Sequence, residues 1–228
     1  MMSKPIYLDN QSTTPVDPKV IEAMFPFFQE KFGNASSIHH AYGIECKEAV
    51  SNARQILADS INCKSREIIF TSGATEAINL AIKGVFGQYK QKRHIITQAT
   101  EHNAVLDTCR VLKRKGWSIT ILPVDSNGMV DPKLVADAIN DQTVLVSIMH
   151  ANNEIGIIQP IYQIGQICKS NNILFFVDAS QSFGKLEIDV ELMNIHLLAT
   201  TAHKLYGPKG IGFLYVSQKN PKVDLEMQ

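Results

Sequence analysis

Between residues 66 and 216 the chain alternates between two textures, and few folds accept that alternation. Five short runs (67–71, 94–98, 118–124, 144–149 and 174–177) are nearly continuous in apolar residues, many of them β-branched or aromatic. Between them lie stretches of helical character, 75–89, 103–115, 132–140 and 161–170. A strand that is apolar on both faces needs cover on both, and helical crossovers between parallel strands supply it. Two more extended runs follow, 196–199 and 212–216. The pattern predicts one α/β domain in three layers, with a mainly parallel sheet between helices.

A shorter arm precedes this core. Residues 6–9 read as an extended segment and 10–15 as a polar turn. Residues 18–31 read as a helix, with Pro18 in its first turn and Gly33 at its end. After a loop at 32–40, residues 41–59 read as a second helix. Its Cys46, Val50, Ala53 and Leu57 recur at the spacing of a buried stripe.

Composition removes several classes of function. Lysine plus arginine and aspartate plus glutamate number 22 each, with no basic stripe, so no nucleic-acid partner is expected. The longest apolar runs, such as 173–177, are far too short for a bilayer, and no membrane partner is expected either. Residues 1–9 show neither an apolar signal core nor an arginine-rich leader. Cys46, Cys63, Cys109 and Cys168 are scattered, without a C-x-x-C pair, which suits reduced thiols in a cytoplasmic protein and no metal site.

Polar residues gather where the apolar runs stop, and in open α/β sheets ligands bind at the carboxyl ends of strands. Thr71-Ser72-Gly73-Ala74-Thr75-Glu76 joins a strand to a helix start. Such a junction offers free N–H groups to an anion, or else is capped by Ser72 or Thr75. It matches neither a Walker A loop nor G-x-G-x-x-G. His102, after 94–98, could lie on a planar ring and move protons, or simply start a helix. Asn152 and Asn153, after 144–149, could bind a ligand oxygen or form a turn. Asp178 closes 174–177, where a carboxylate needs a cationic ligand, a helix to cap, or a lysine such as Lys185. Lys204 follows 196–199 and precedes a turn in which Gly207 and Gly210 are expected at angles closed to other residues, stiffened by Pro208. Alone it reads as a surface lysine. Set among the other clusters it reads as an amine able to form a Schiff base. An anion-binding helix start, an imidazole, amide donors, a buried carboxylate and that amine together describe a pyridoxal 5′-phosphate site.

With those residues assembled, the chain resembles the cysteine desulfurases of the class V aminotransferase superfamily, fold-type I pyridoxal phosphate enzymes, from Tyr7 to Tyr215. The most specific stretches are Thr71 to Glu76, Thr100-Glu101-His102, Asn152 to Gly156, Val177-Asp178-Ala179 with Gln181, and His203-Lys204 through Gly212. The resemblance implies Lys204 as the Schiff-base lysine and Asp178 as partner of the pyridine nitrogen. It implies His102 stacked on the ring and moving protons, with Lys204 and His102 the catalytic pair. Asn153 and Gln181 would lie near the cofactor's phenolic oxygen or the substrate. Ala74 (through its backbone), Thr75, Thr201 and His203 would hold the phosphate.

The implied reaction takes L-cysteine to L-alanine and passes sulfur to acceptor and scaffold proteins for iron–sulfur cluster assembly. A homodimer in the cytoplasm, or in the mitochondrial matrix, goes with it. Two neighbouring readings are a selenocysteine lyase or cysteine sulfinate desulfinase, and a relic that binds cofactor without turnover. The family's Ser-Gly-His-Lys is Thr201-Ala202-His203-Lys204 here, so a methyl is expected where the backbone needs freedom, with weaker cofactor binding. Residues 1–15 would join a small domain and 16–228 would form an incomplete large domain. The family's persulfide cysteine, substrate-gripping arginine and cross-dimer threonine are expected beyond Gln228, leaving this fragment little or no sulfur release by itself.

Overall fold

The computed structural model describes residues 5–89, 91–223 and 225; residues 1–4 of the N-terminal segment and the expected end at Gln228 lie outside them. Seven strands form one sheet: β1 (Ile68–Thr71), β2 (His94–Gln98), β3 (Ser118–Leu122), β4 (Thr143–Ser147), β5 (Leu174–Asp178), β6 (Leu197–Thr201) and β7 (Gly212–Val216). Their order is β1-β7-β6-β5-β4-β2-β3. Strands β3, β2, β4, β5 and β6 pair in parallel, while β7 runs antiparallel to both β6 and β1. The carboxyl ends of β1, β2, β4, β5 and β6 and the start of β7 therefore share one edge.

Helices cover both faces, as continuously apolar strands require. Neighbouring residues on a strand point to opposite sides, and the core divides accordingly. Ile96, Val146, Phe175, Val177 and Leu198 pack with α6 (Pro132–Ala138) and α7 (Ile161–Ser170). Ile95, Leu145, Leu174, Phe176 and Leu197 pack with α4 (Ala74–Gln88) and α5 (Asn103–Arg114). Phe176 is fully enclosed. Its replacement by alanine is expected to lower unfolding free energy by about 3–5 kcal/mol in a urea titration. A loss below about 1 kcal/mol would contradict its place in the core.

The arm departs from its sequence pattern. The helix expected over 18–31 is two, α1 (Pro18–Met24) and α2 (Pro26–Gln29), joined at Phe25. Pro26 carries no N–H to continue the first helix, so its ring starts a second. Glu30, not Gly33, caps α2. Gly33 is needed for space, because a Cβ there would lie 2.2 Å from the Tyr42 carbonyl oxygen. Helix α3 spans Ala41–Ser60, but its expected stripe is largely in the open. Cys46 is buried and Leu57 half-buried, while Val50 and Ala53 are exposed. Only the last turn, through Ala58, reaches the sheet's core.

Candidate active site

A cavity of about 510 Å³ opens at the shared strand edge. All nine residues expected to form a site border it: Ala74, Thr75, His102, Asn153, Asp178, Gln181, Thr201, His203 and Lys204.

The start of α4 forms one wall. Gly73 turns the chain at φ +153°, a conformation that side chains avoid. No side chain caps the helix. The capping expected of Ser72 or Thr75 is absent because Ser72 is otherwise engaged: its N–H and its hydroxyl both donate to the Glu76 carboxylate. Those bonds, the hydroxyl's first, hold Glu76 below the usual carboxylate range. The first-turn N–H groups of α4 are left uncapped at the cavity, with the positive end of the helix dipole behind them. Gly212 permits this packing, since a Cβ there would lie 2.4 Å from the Thr200 carbonyl oxygen and 2.9 Å from Gly73 Cα.

Lys204 ends a single 3₁₀ turn, Ala202–Lys204, that leaves β6 directly. Its loop is tied down on both sides. The Ala202 N–H donates to the Ile211 carbonyl (3.0 Å), and the N–H groups of Leu205 and Gly207 donate to that of Ala202 (2.9 Å each). From the arm, the Thr14 N–H and hydroxyl donate to the His203 carbonyl at 2.8 and 3.0 Å. Thr14 Oγ1 in turn accepts the Tyr206 N–H at 2.8 Å. Only Gly210 of the two glycines has the expected positive φ (+89°); the other left-handed residue is Tyr206 (+56°). Gly207 is there for close approach, because a Cβ would fall 2.7 Å from the Ala202 methyl. Ala202 itself is not among the residues with positive φ, so its methyl meets no backbone conflict. Burial lowers the Lys204 pKa; the Asp178 charge opposes that shift and Lys185 adds to it.

Asp178 is 4% exposed, and its Oδ1 accepts both the N–H (2.9 Å) and the hydroxyl (2.5 Å) of Ser180. Neither ordinary alternative applies. No helix begins there, and no ion pair with Lys185 is found among the described residues. His102 does start a helix: its Nδ1 accepts the Ala104 N–H (3.1 Å) at the head of α5. The ring nevertheless borders the cavity, so starting a helix does not take His102 away from the site. With Nδ1 accepting, the proton of the neutral ring belongs on Nε2.

The two adjacent amides have separate duties. Asn152 makes the turn, its Oδ1 accepting the N–H groups of Glu154 and Ile155. Asn153 lines the cavity and donates to the Gln11 side-chain oxygen at 3.0 Å. Gln181 donates to the Gln11 backbone carbonyl at 2.7 Å. Gln11, read in sequence only as part of a polar turn, thus joins two site residues. No local pattern marks it, because its partners lie 142 and 170 residues away. His203 accompanies Thr13 (3.2 Å), and burial, Lys204 and the cavity-lining Lys209 lower its pKa.

None of the four cysteines borders the cavity. Burial pushes the Cys63 and Cys109 thiols up to about 12 and Cys168 higher still. Among the described residues no group of three or more His, Cys, Asp or Glu could hold a metal, and no helix is long and apolar enough to cross a membrane. The cavity therefore offers an uncapped helix start to an anion, a buried carboxylate to a cation, and a half-buried amine to an electrophile.

A model of the aminotransferase class-V family matches residues 6–224. The chain is 52% identical to the cysteine desulfurase IscS of Rickettsia prowazekii over 97% of its own length and 54% of that protein's. It is 53% identical to the IscS of Shewanella denitrificans, and 52% to a probable mitochondrial cysteine desulfurase of Dictyostelium discoideum. The chain spans about half the length of these curated relatives. Among solved structures, a NifS-like protein superposes with a TM-score of 0.92 at 41% identity, covering 96% of this chain and 60% of that one. SspA in complex with cysteine superposes with a TM-score of 0.89 at 44% identity, covering 92% and 60%.

Proposed function

This chain belongs to the aminotransferase class-V family, and we propose that its cavity holds pyridoxal 5′-phosphate for the removal of sulfur from L-cysteine. One observation carries this reading: Lys204, Asp178 and the uncapped start of α4 border a single cavity. The family uses pyridoxal phosphate, and the donor set fits each part of it. Gly73 to Thr75 with Thr201 and His203 would take the phosphate, Asp178 the protonated pyridine nitrogen, and Lys204 the aldehyde carbon. When bound, the cofactor supplies an electrophilic carbon and a ring able to accept an electron pair.

The protein's own groups do the rest. Lys204, set in a partly buried turn that lowers its proton affinity, presents a free amine more readily than a surface lysine would. His102 would stack on the ring, with Nε2 as the atom that would give or take a proton. Gln11, Asn153 and Gln181 form a bonded set that would hold polar groups near the cofactor's phenolic oxygen or the substrate. The sulfur-accepting thiol is assigned to none of Cys46, Cys63, Cys109 and Cys168, since all four lie away from the cavity.

The name cysteine desulfurase carried by the relatives supports L-cysteine as substrate; on this reading L-alanine is the product, and acceptor and scaffold proteins of iron–sulfur assembly are the partners. The same reading places a homodimer in the bacterial cytoplasm or the mitochondrial matrix.

The test is a titration of the purified protein with pyridoxal phosphate, followed by absorbance. A saturable visible band that L-cysteine perturbs and L-serine leaves unchanged is expected. No band at saturating cofactor would overturn the proposal.

A further inference from the structure

Glu101, beside His102, has no part in the site described above. It lies just past the carboxyl end of β2, 6% exposed. Its Oε1 accepts the Met149 N–H at 2.5 Å, just beyond β4. The next residue, His150, donates its N–H to the Asp178 carbonyl at 2.9 Å. Glu101 is thus linked through Met149 and His150 to the strand end that carries Asp178. Its Oε2 is buried without a partner, and no cation pairs with it among the described residues. Unpartnered polar atoms of Thr97, Gln98 and Thr100 share its end of β2, and those of Ser147 and His150 lie at the adjoining end of β4.

Two buried carboxyls that act on one another do not both ionise readily. Asp178 has two donors from Ser180 and faces the cavity with Lys204. Glu101 has the Met149 N–H, the neighbouring Gln98 amide and no cation, too little to hold a buried negative charge. We propose that Glu101 is a positioning residue that works as a carboxylic acid. Oε1 pins Met149 and ties the ends of β2 and β4 behind the cavity, while Oε2–H donates to the otherwise unpartnered Gln98 side-chain oxygen. Its neutrality keeps a second negative charge out of the region behind Asp178, which matters for the cofactor only if the reading under Proposed function holds.

The electrostatics agree. Burial and then the Asp178 charge raise Glu101 well above the usual carboxylate range, against the Met149 N–H and the Gln98 amide. Of the other titratable groups nearby, burial lowers the pKa of His150, so it adds no cation beside Glu101, and the Cys109 thiol on α5 is pushed up to about 12.

Infrared difference spectra of the cofactor-free protein near neutral pH test the protonation. The wild type is expected to show a carboxylic-acid C=O band that Glu101→Gln removes; absence of that band overturns the proposal. Pyridoxal phosphate titrations test the positioning. Glu101→Gln, which keeps a neutral group with one acceptor and one donor, should bind within about twofold of the wild type. Glu101→Ala, which frees Met149, should bind about tenfold more weakly. Affinity in Glu101→Gln as poor as in Asp178→Asn would make Glu101 a working anion and refute the idea, and unchanged affinity in Glu101→Ala would refute the clamp. If the wild type binds no cofactor, the functional reading fails, while the infrared result still decides the state of Glu101.

Discussion

Replacing Lys204 with alanine is expected to abolish covalent capture of pyridoxal phosphate and to lower any turnover by ~10³-fold or more, as when a nucleophile leaves an otherwise intact site. Borohydride treatment followed by peptide mapping should place the cofactor on Lys204 in the wild type and on no residue in the variant. The fold should survive. The lysine is only half-buried, and its loop is held by the backbone of Ala202 and Ile211 and by Thr14. A thermal midpoint close to the wild type's, with lost capture, separates chemistry from misfolding.

The same lysine predicts a pH dependence. Capture uses the free amine, so its rate should rise with pH through a midpoint below the ordinary lysine value of 10.5. Lys185→Ala should move the midpoint up, since Lys185 resists the proton on Lys204; Asp178→Asn should move it down. The unfolded chain holds this proton more tightly than the folded one. The contribution of Lys204 to stability therefore grows with pH between the lowered value and 10.5, and is lost as pH falls through that window. A capture midpoint at or above 10.5 would sink the assignment of Lys204 as the poised amine.

The sheet was readable because its central strands are buried on both sides: β2, β4, β5 and β6 are enclosed at every residue. Runs of that kind keep their apolar character whatever lies around them, and the polar residues that end them mark the edge where ligands bind. The arm carried no such constraint. Pro26 decides where α1 stops, and a stripe at helical spacing says nothing about whether anything covers it, which is why α3 misled. Within the site, residue types named the chemistry but not the division of labour. Asn152 and Asn153 are identical in sequence terms, and only the turn, which takes Asn152 inward to Glu154 and Ile155, leaves Asn153 at the cavity. The roles of Gln11 and Glu101 were hidden for a different reason. Each acts through a contact with a distant part of the chain, one with Asn153 and the other with Met149.

Asp178→Asn should weaken pyridoxal phosphate binding by about 150- to 5,000-fold, the range that follows when a buried charge loses its partner at about 3–5 kcal/mol. Asparagine keeps the shape of the side chain, and its Oδ1 can still accept the N–H and hydroxyl of Ser180, so the end of β5 should hold its form. What disappears is the negative charge that a protonated pyridine nitrogen would face. A cofactor analogue with carbon in place of that nitrogen isolates the effect: it should bind the wild type no more tightly than Asp178→Asn, because it carries no positive charge for the carboxylate to face. The phosphate end acts as the internal control. Its donors are the start of α4, Thr201 and His203, and inorganic phosphate should compete equally well in both proteins. If Asp178→Asn bound pyridoxal phosphate as tightly as the wild type, the buried carboxylate would have no role at the ring, and the cavity would be a site for a phosphate-bearing ligand of another kind.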